Sequence, residues 1–502
     1  MVSKVEQSAV SVTGALRSPK RLRIEVLAGL VVALALIPEA ISFSIIAGVD
    51  PRVGLFASFT MAVTIAIAGG RRAMISAATG AVALVIAPVV REHGLNYLVA
   101  TVILAGVLQV LLSVAGVAKL MRFIPRSVMV GFVNALAILI FTAQLPHLLG
   151  VPWLVYPMVA VALAIIVFLP KLTTAIPAPL VAIVALTAAT MVFSLHVPNV
   201  GDEGALPSSL PSLLIPDVPW NIDTLKIIGP YALAMALVGL LESLMTAKLV
   251  DDITDTHSDK TREGWGQGIA NIVTGFFGGM GGCAMIGQTM INVKVSGART
   301  RISTFSAGVF LLILVVGLGG LVARIPMAAL VAVMIMVSVG TMDWHSIAPK
   351  TLRRMPIAET TVMAVTVAVT VATHNLAYGV IAGVLTAMVA FAQRVAHFTE
   401  VDTVPESDTD HDYHDTRVYK VRGELFFASS NDLVYQFDYT GDPANIVIDM
   451  SDAHVWDAST VAALDAITTK YAAKGKTVRI IGLNPASEAR HERLSGHLAG
   501  AH

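Results

Sequence analysis

The sequence predicts an all-α polytopic membrane domain followed by a small cytoplasmic α/β domain. Composition is the first observation: 55% of the 502 residues are hydrophobic, 14% are charged, and mean hydropathy is +0.75. The second is a change at about residue 395, where long apolar runs give way to a soluble composition. The third is the number of apolar runs, about fourteen, which indicates repeated membrane crossings.

The apolar runs form two sets of seven around a long Pro- and Ser-rich segment. The first set is Ile24–Val49, Val53–Gly69, Ile75–Val90, Tyr97–Val117, Val128–Leu145, Val151–Leu169 and Ala178–Leu195. The second is Ile227–Lys248, Gly266–Gly279, Ala284–Val295, Phe305–Val322, Pro326–Val339, Thr360–Ala372 and Leu376–Phe391. Because an odd number of crossings reverses the direction of entry, the two sets predict 14 transmembrane segments in a 7+7 inverted repeat.

Basic residues support this topology. With a cytoplasmic N-terminus, the loops predicted on the cytoplasmic side contain fifteen Lys and Arg residues, and the opposite loops contain four. The fifteen are Arg71, Arg72, Lys119, Arg122, Arg126, Lys171, Lys248, Lys260, Arg262, Lys294, Arg299, Arg301, Lys350, Arg353 and Arg354; the four are Arg52, Arg91, Lys226 and Arg324. This positive-inside bias predicts that both termini are cytoplasmic.

Three parts of the chain follow from these patterns. They are a cytoplasmic N-terminal segment (1–23), a transmembrane domain (24–395) and a C-terminal domain (396–502). The basic N-terminus, which includes Lys4, lacks a cleavable signal pattern, so we expect a multi-pass protein of the plasma or inner membrane, in contact with lipid. One cysteine, Cys283, excludes an intrachain disulfide, and we expect no metal, no cofactor and no nucleic acid partner.

Two interrupted segments are the main functional signal. Gly278–Asn292 is too rich in glycine to start as a plain membrane helix and too apolar for a surface loop, so we expect an extended crossing that becomes a half-helix near Ala284 or Met285. Ser76–Val82 has a small residue and then glycine at the same offset. Paired interruptions indicate a midplane binding site, and exposed helix starts suit an anion. Close helix packing at glycine is the alternative.

Two carboxylates occupy related apolar runs. Glu39 follows Pro38 in the first run, and Glu242 lies in the eighth. A charge at mid-membrane is costly, so each residue is a functional hypothesis, with a protonated glutamate bonded to a neighbouring helix as the alternative. We expect no Arg or Lys within either interrupted helix, so an anion would depend on helix starts and on hydroxyls such as those of Thr79 and Thr289. This favours proton–anion symport over uniport.

The tail predicts a small α/β domain. Strand patterns occur at Arg417–Val421, Asn445–Met450 and Thr477–Gly482, and helical spacing occurs at Val461–Ala473. The tail has no phosphate-binding glycine loop and no catalytic set of residues. We therefore expect regulation or assembly rather than chemistry, and a protein that is not an enzyme.

Nearly the whole chain resembles the sulfate permease (SulP, or solute carrier 26) family of anion transporters, whose animal members include pendrin and prestin. The motifs that carry the resemblance are Ile37-Pro38-Glu39-Ala40, Ile75-Ser76, and the series Glu263, Gly268, Asn271, Gly275, Gly278, Gly279, Asn292 and Gly297. The tail resembles the family's STAS domain, with Asp449 ending a strand and Asp457-Ala458-Ser459-Thr460 where relatives have Asp-Ser-Ser-Gly or a similar sequence.

The resemblance implies a UraA-like fold in which core segments 1–4 and 8–11 move against gate segments 5–7 and 12–14. The anion would lie between the starts of segments 3 and 10, and homodimers are expected. The implied binding residues are Glu39, Ser42, Phe43, Ala78, Thr79, Glu242, Ala284, Met285 and Ile286, with Glu242 and Glu39 as proton-coupling groups. Ser459 is expected to be either a regulatory phosphorylation site, as in related soluble STAS proteins, or a helix N-cap.

Two positions depart from the family pattern. Many members have glutamine in place of Glu39, and many animal members have arginine near Gln288. These departures argue against chloride-style binding to a fixed cation and favour a proton-linked carboxylate or oxyanion substrate. We expect secondary active transport of bicarbonate, sulfate or a dicarboxylate such as fumarate by alternating access. The alternatives are a nucleobase transporter, which generally lacks a STAS tail, and an anion channel or a membrane-tethered sensor that signals through that domain.

Overall fold

The computed structural model describes residues 11–117, 124–172, 177–396, 400–403 and 416–497. It divides into two compact units, Met1–Val384 and Leu385–His502. Lys4, Lys119 and Arg122, which entered the topology prediction, lie outside the described residues.

Two successive sets of helices, each interrupted once by a short strand, form the first unit, and the last helix continues past its boundary at Val384. The first set is α1 Pro19–Ala47, α2 Pro51–Ala68, β1 Ser76–Ala77, α3 Gly80–His93, α4 Leu95–Val114, α5 Arg126–Thr142, α6 Val155–Leu172 and α7 Ala178–Val192. The second is α8 Ile222–Thr254, α9 Lys260–Phe276, β2 Cys283–Ala284, α10 Ile286–Met290, α11 Arg301–Gly317, α12 Met327–Thr341, α13 Ile357–Thr373 and α14 Leu376–Ala396. Short helical turns occupy Val12–Arg17, Leu145–Leu148, Val200–Asp202, Gly319–Val322, Trp344–Ile347 and Pro349–Leu352.

Seven helices in the described part of the chain are long and apolar enough to cross a membrane. Five of them are α1, α2, α4, α6 and α8. The sixth is Arg126–Leu148, which contains α5 and the helical turn after it, and the seventh is Leu376–Arg394, which is most of α14. Polar caps extend two helices beyond their apolar runs: the Asn221 side chain accepts from the Thr224 N–H at the start of α8, and the Asp259 side chain accepts from the Arg262 N–H at the start of α9. Sequence hydropathy alone therefore predicted both helices too short.

The two interruptions meet at a buried position within the unit. β1 and β2 pair antiparallel, with Ser76 opposite Ala284 and Ala77 opposite Cys283. This pairing supplies hydrogen bonds to backbone that has left the helical conformation, as buried backbone requires. The predicted extended crossing is present, and its helix begins at Ile286, one residue beyond the predicted start.

Small residues bring the helices around this pair into close contact. A Cβ on Gly106 of α4 would lie 2.6 Å from the Gly268 carbonyl oxygen of α9, and a Cβ on Gly268 would lie 2.6 Å from the Gly106 carbonyl oxygen. Gly29 of α1 approaches Ser303 and Ser306 of α11 equally closely. These contacts hold α9, which precedes β2, against α4, and hold α1 against α11.

The second unit contains a four-stranded sheet. Its strands β3 Glu400–Thr403, β4 Thr416–Leu425, β5 Asn445–Val455 and β6 Thr477–Ile481 lie in that order, with β3 antiparallel to β4 and the other pairs parallel. The helices are α15 Phe427–Leu433, α16 Ala458–Ala472 and α17 Pro485–Leu494. The predicted α/β character of the tail is confirmed.

Two details of the tail differ from the prediction. Asp449 does not end its strand: pairing with β6 stops at Asp449, but β5 continues against β4 to Val455 beyond a register shift. The N-cap of α16 is Asp457, whose Oδ1 accepts from the Thr460 N–H at 3.0 Å, so the N-cap expectation for Ser459 is wrong. Ser459 is exposed in the first turn of the helix.

Candidate functional site

A cavity of about 420 Å³ lies beside the paired strands. Six of the predicted site residues line it: Glu39, Phe43, Thr79, Glu242, Met285 and Ile286. They come from α1, α8 and the starts of α3 and α10, so residues far apart in sequence share one chamber.

The start of α3 presents free backbone donors to this cavity. Thr79 is the N-cap, and its Oγ1 accepts from the Val82 N–H at 3.4 Å, while the Ala83 N–H donates to the Thr79 carbonyl. The Gly80 and Ala81 N–H groups have no acceptor among the described residues. Gly80 lines the cavity, so these donors and the positive end of α3 lie at its wall.

The start of α10 presents a second set of donors. Met285 is the N-cap residue, its own N–H donates to the Ile75 carbonyl at 2.8 Å, and the Thr289 N–H donates to the Met285 carbonyl at 3.1 Å. The N–H groups of Ile286, Gly287 and Gln288 have no acceptor in the described part of the chain. α10 continues as a π turn over Ile291–Val295, and Ile286 and Gly287 line the cavity. Two helix starts thus face one chamber.

Glu242 approaches the paired strands from α8. It is 7% exposed, and its Oε2 accepts from the Cys283 Sγ at 2.9 Å. The next residue, Ser243, accepts from the Ala284 N–H at 3.1 Å, which fixes β2 against α8. The Glu242 carboxyl has no ion-pair partner among the described residues, which makes a buried charge there costly.

Glu39 reaches the cavity from another helix, α1. Its Oε1 accepts from the Gln288 Nε2 at 2.7 Å. The two residues that depart from the family pattern, Glu39 and Gln288, are therefore in direct contact. The Gln288 Oε1 is buried without a partner in the described structure. A neutral amide, rather than a fixed cation, therefore faces this carboxyl.

Three predicted site residues do not line the cavity. Ser42 donates to the Pro38 carbonyl at 2.8 Å, within its own helix. The Ala78 N–H donates to Ser58 Oγ at 3.2 Å, and Ala284 packs against Met74 and Ala247. All three lie behind the lining, where they fix the backbone that carries it.

Sequence reasoning missed the part of the lining that comes from two other helices. α5 and α12 supply it, through Phe132, Val133, Leu136, Ile140, Val337, Gly340 and Thr341. These residues lie in ordinary apolar runs, so no local signal separates them from residues that face lipid. The expectation of no basic residue in an interrupted helix is also wrong: Arg91 lies in the last turn of α3 and Lys294 in the π turn, although neither lines the cavity.

A tightly packed layer closes one end of the cavity. A Cβ on Gly80 would lie 2.8 Å from Phe43 Cε1 and 3.2 Å from Ile140 Cδ1. A second cavity of about 630 Å³ has a lining that includes Ile45, Leu84 and Leu139 together with Arg91 and His147. On α1, α3 and α5, residues within one turn of each other thus line different cavities.

The fold and the site define a polytopic membrane protein in which two interrupted helices face a central chamber, joined in sequence to a small α/β domain. Residues 22–156 and 152–366 match the model of the sulfate permease family, and residues 409–496 match that of the STAS domain. The chain belongs to the sulfate permease family and has a C-terminal STAS domain.

Relatives of the chain are known in several bacteria. YbaR of Bacillus subtilis, provisionally named a sulfate transporter, is 53% identical over 94% of this chain and 97% of its own length. The bicarbonate transporter BicA of Picosynechococcus sp. is 26% identical over 95% of this chain and 91% of its own.

Two solved structures share the fold. The murine anion transporter Slc26a9 in its inward-facing state has a TM-score of 0.80, with 17% identity over 96% of this chain and 88% of that one. The transmembrane domain of a cyanobacterial BicA has a TM-score of 0.63, with 24% identity over 74% of this chain and 98% of that one.

Proposed function

We propose that the protein is a secondary active anion transporter that works by alternating access and couples anion movement to protons. The observation that carries this proposal is the convergence of two helix starts, with free N–H groups, on one cavity whose lining includes two carboxyls. The N–H groups favour a negatively charged solute. The carboxyls favour neutral, protonated forms when that solute is present, because like charges in a buried chamber repel.

The anion is proposed to be bicarbonate, sulfate or a small dicarboxylate such as fumarate. The names of the relatives, sulfate transporters and bicarbonate transporters, support the first two. Among the described residues, no Arg or Lys lines the cavity. Binding would therefore depend on N–H groups, on the Thr79 hydroxyl and on protonated Glu39 or Glu242, which suits an oxyanion that accepts several hydrogen bonds.

Alternating access is supported by the packed layer of Phe43, Gly80 and Ile140. A carrier needs a barrier on one side of its site in each state, whereas a conducting channel needs a continuous path. Residues within one turn of this contact on α1, α3 and α5 line a second cavity, so the contact suits an occluding barrier that opens when one group of helices moves against the other.

The remaining architecture belongs to the same proposal. It comprises 14 segments in a UraA-like 7+7 inverted repeat, a core of segments 1–4 and 8–11, and a gate of segments 5–7 and 12–14. The N-terminal segment (1–23), the transmembrane domain (24–395) and the STAS domain (396–502) would form a homodimer in the plasma or inner membrane with cytoplasmic termini. Ser459, exposed near the start of α16, would be the regulatory site.

Uptake by proteoliposomes tests the function. Purified protein is reconstituted, and uptake of labelled bicarbonate, sulfate and fumarate is measured with and without an inward proton gradient. We expect saturable accumulation of one of these anions, driven by the gradient. Currents far above carrier turnover would instead indicate a channel, and absence of transport for every anion would indicate a sensor.

A further inference from the structure

A hydrogen-bond chain joins Glu242 to the start of α3 through the single cysteine. Cys283 Sγ donates to Glu242 Oε2 at 2.9 Å, and the same sulfur lies 3.1 Å from Thr79 Oγ1. The three residues come from α8, β2 and the N-cap of α3, so folding, not sequence proximity, brings them together. Cys283 is fully buried, whereas Glu242 and Thr79 both line the cavity.

The direction of this chain depends on whether Glu242 carries a proton. An ionised carboxylate only accepts hydrogen bonds, so the Cys283 S–H points to Glu242. The sulfur is then free to accept the Thr79 O–H. The Thr79 hydroxyl has one proton to donate, and in this state that proton points to the sulfur and away from the cavity. The Thr79 oxygen also accepts from the Val82 N–H.

Proton binding to Glu242 allows the chain to reverse. The new Glu242 O–H donates to the sulfur, the Cys283 S–H turns to Thr79 Oγ1, and the Thr79 O–H turns into the cavity beside the free Gly80 N–H. One proton is bound, two hydrogen bonds reverse, the Thr79 O–H is released to the cavity, and no bond between heavy atoms forms or breaks. The state that has gained a proton is therefore the state that offers one more donor to an anion.

We propose that Cys283 is a positioning residue that couples proton binding at Glu242 to anion binding at Thr79. The inference rests on the proposed proton-coupled transport and names a residue that carries the coupling. Among the residues that line this cavity, drawn from α1, α3, α5, α8, α10 and α12, the other titratable side chain is Glu39, which is bonded to Gln288. The chain through Cys283 is thus separate from the Glu39 contact.

Two substitutions of Cys283 test the proposal. Serine can both donate and accept, so Cys283→Ser preserves the chain, whereas Cys283→Ala breaks it. Gradient-driven uptake of the anion that the wild type transports is measured over a range of pH. We expect the gradient-driven uptake of Cys283→Ala to be about tenfold lower than that of the wild type, since the loss of one buried hydrogen bond changes an equilibrium by about that factor. We also expect its uptake not to vary with pH. We expect Cys283→Ser to retain the profile.

Anion exchange at equal pH on both sides serves as the folding control, and we expect Cys283→Ala to retain it. A wild-type pH profile in Cys283→Ala, or equal loss in the Ala and Ser variants, would overturn the role of Cys283 while leaving the transport proposal intact. Wild-type uptake that does not change with the proton gradient would reject both proton coupling and the proposed role of the hydrogen-bond chain through Cys283. Absence of wild-type uptake would reject the proposed function itself.

A second measurement needs no change at Cys283. The infrared S–H stretching band of the wild-type protein comes from one cysteine, so its position reports this hydrogen bond alone. We expect the band to shift as the sample is acidified, because the S–H changes acceptor from a carboxylate to a hydroxyl. The shift should be absent in Glu242→Gln. A band that stays fixed across pH in the wild type would overturn the relay.

Discussion

Gly282 lies directly against Ala77: a Cβ at position 282 would be 1.9 Å from the Ala77 carbonyl oxygen. That contact allows the strand after α9 to pass alongside the strand before α3. The helix starts at Thr79 and Met285 approach the same cavity because this crossing is so close.

Gly282→Ala is therefore expected to separate the two strands. Overpacking of a well-packed interior costs about 1–3 kcal/mol, so the variant should have a lower Tm and strongly reduced uptake. Thermal unfolding in detergent and proteoliposome uptake measure the two effects. Gly320→Ala is the matched control, since a Cβ there would meet no atom within 4 Å. The same Tm and the same uptake in both variants would show that the close contact between Gly282 and Ala77 is not needed for stability or transport.

Removal of the ionisable groups is expected to abolish the response to pH. Glu242→Gln and Glu39→Gln preserve side-chain shape and hydrogen bonding but cannot exchange a proton. We expect each to reduce gradient-driven uptake by at least about tenfold while exchange at equal pH persists. Uptake with the wild-type pH profile in both variants would exclude proton coupling through these carboxyls.

Phe43→Ala is expected to weaken the layer that separates the two cavities. The ring packs against Gly80 and contributes to the wall that closes the chamber, so its loss should produce anion flux without a proton gradient. Efflux of labelled anion from preloaded liposomes measures this leak. Phe310→Ala removes a ring that packs at the edge of the core and does not line the chamber. Leak of the same size in both variants would contradict a barrier at Phe43.

Asp442 holds two buried tyrosine hydroxyls in the second unit. Tyr419 and Tyr471 both donate to its carboxylate, and burial together with this contact raises the pKa of Tyr471 above its usual range. Asp442→Ala leaves two buried donors unpaired, at about 1–3 kcal/mol each. We expect a lower unfolding temperature for the full-length protein, with little change from Asp452→Ala at an exposed position. Identical unfolding temperatures would contradict this role of Asp442.

The sequence predicted the parts of the site that break a regular pattern. Small residues followed by glycine mark the break at Gly80, a glycine cluster precedes Ile286, and Glu39 and Glu242 are conspicuous because charges are rare in apolar runs. Phe132 and Thr341 have no comparable signal in the sequence, because the same residue types occur at positions that face a cavity and at positions that face lipid. The contacts of Cys283 with Glu242 and Thr79 depend on the strand pairing, which only the tertiary structure reveals.

Protection of an introduced cysteine by the anion tests the central claim most directly. Gly287 lines the cavity and has no atom within 4 Å of an added Cβ, so Gly287→Cys in a Cys283→Ser background places one thiol between the helix starts. Gly320→Cys in the same background is the control. We predict that the transported anion slows labelling of Gly287→Cys by a charged thiol reagent and leaves Gly320→Cys unaffected. Equal labelling rates with and without a saturating concentration of that anion would show that it does not bind between α3 and α10.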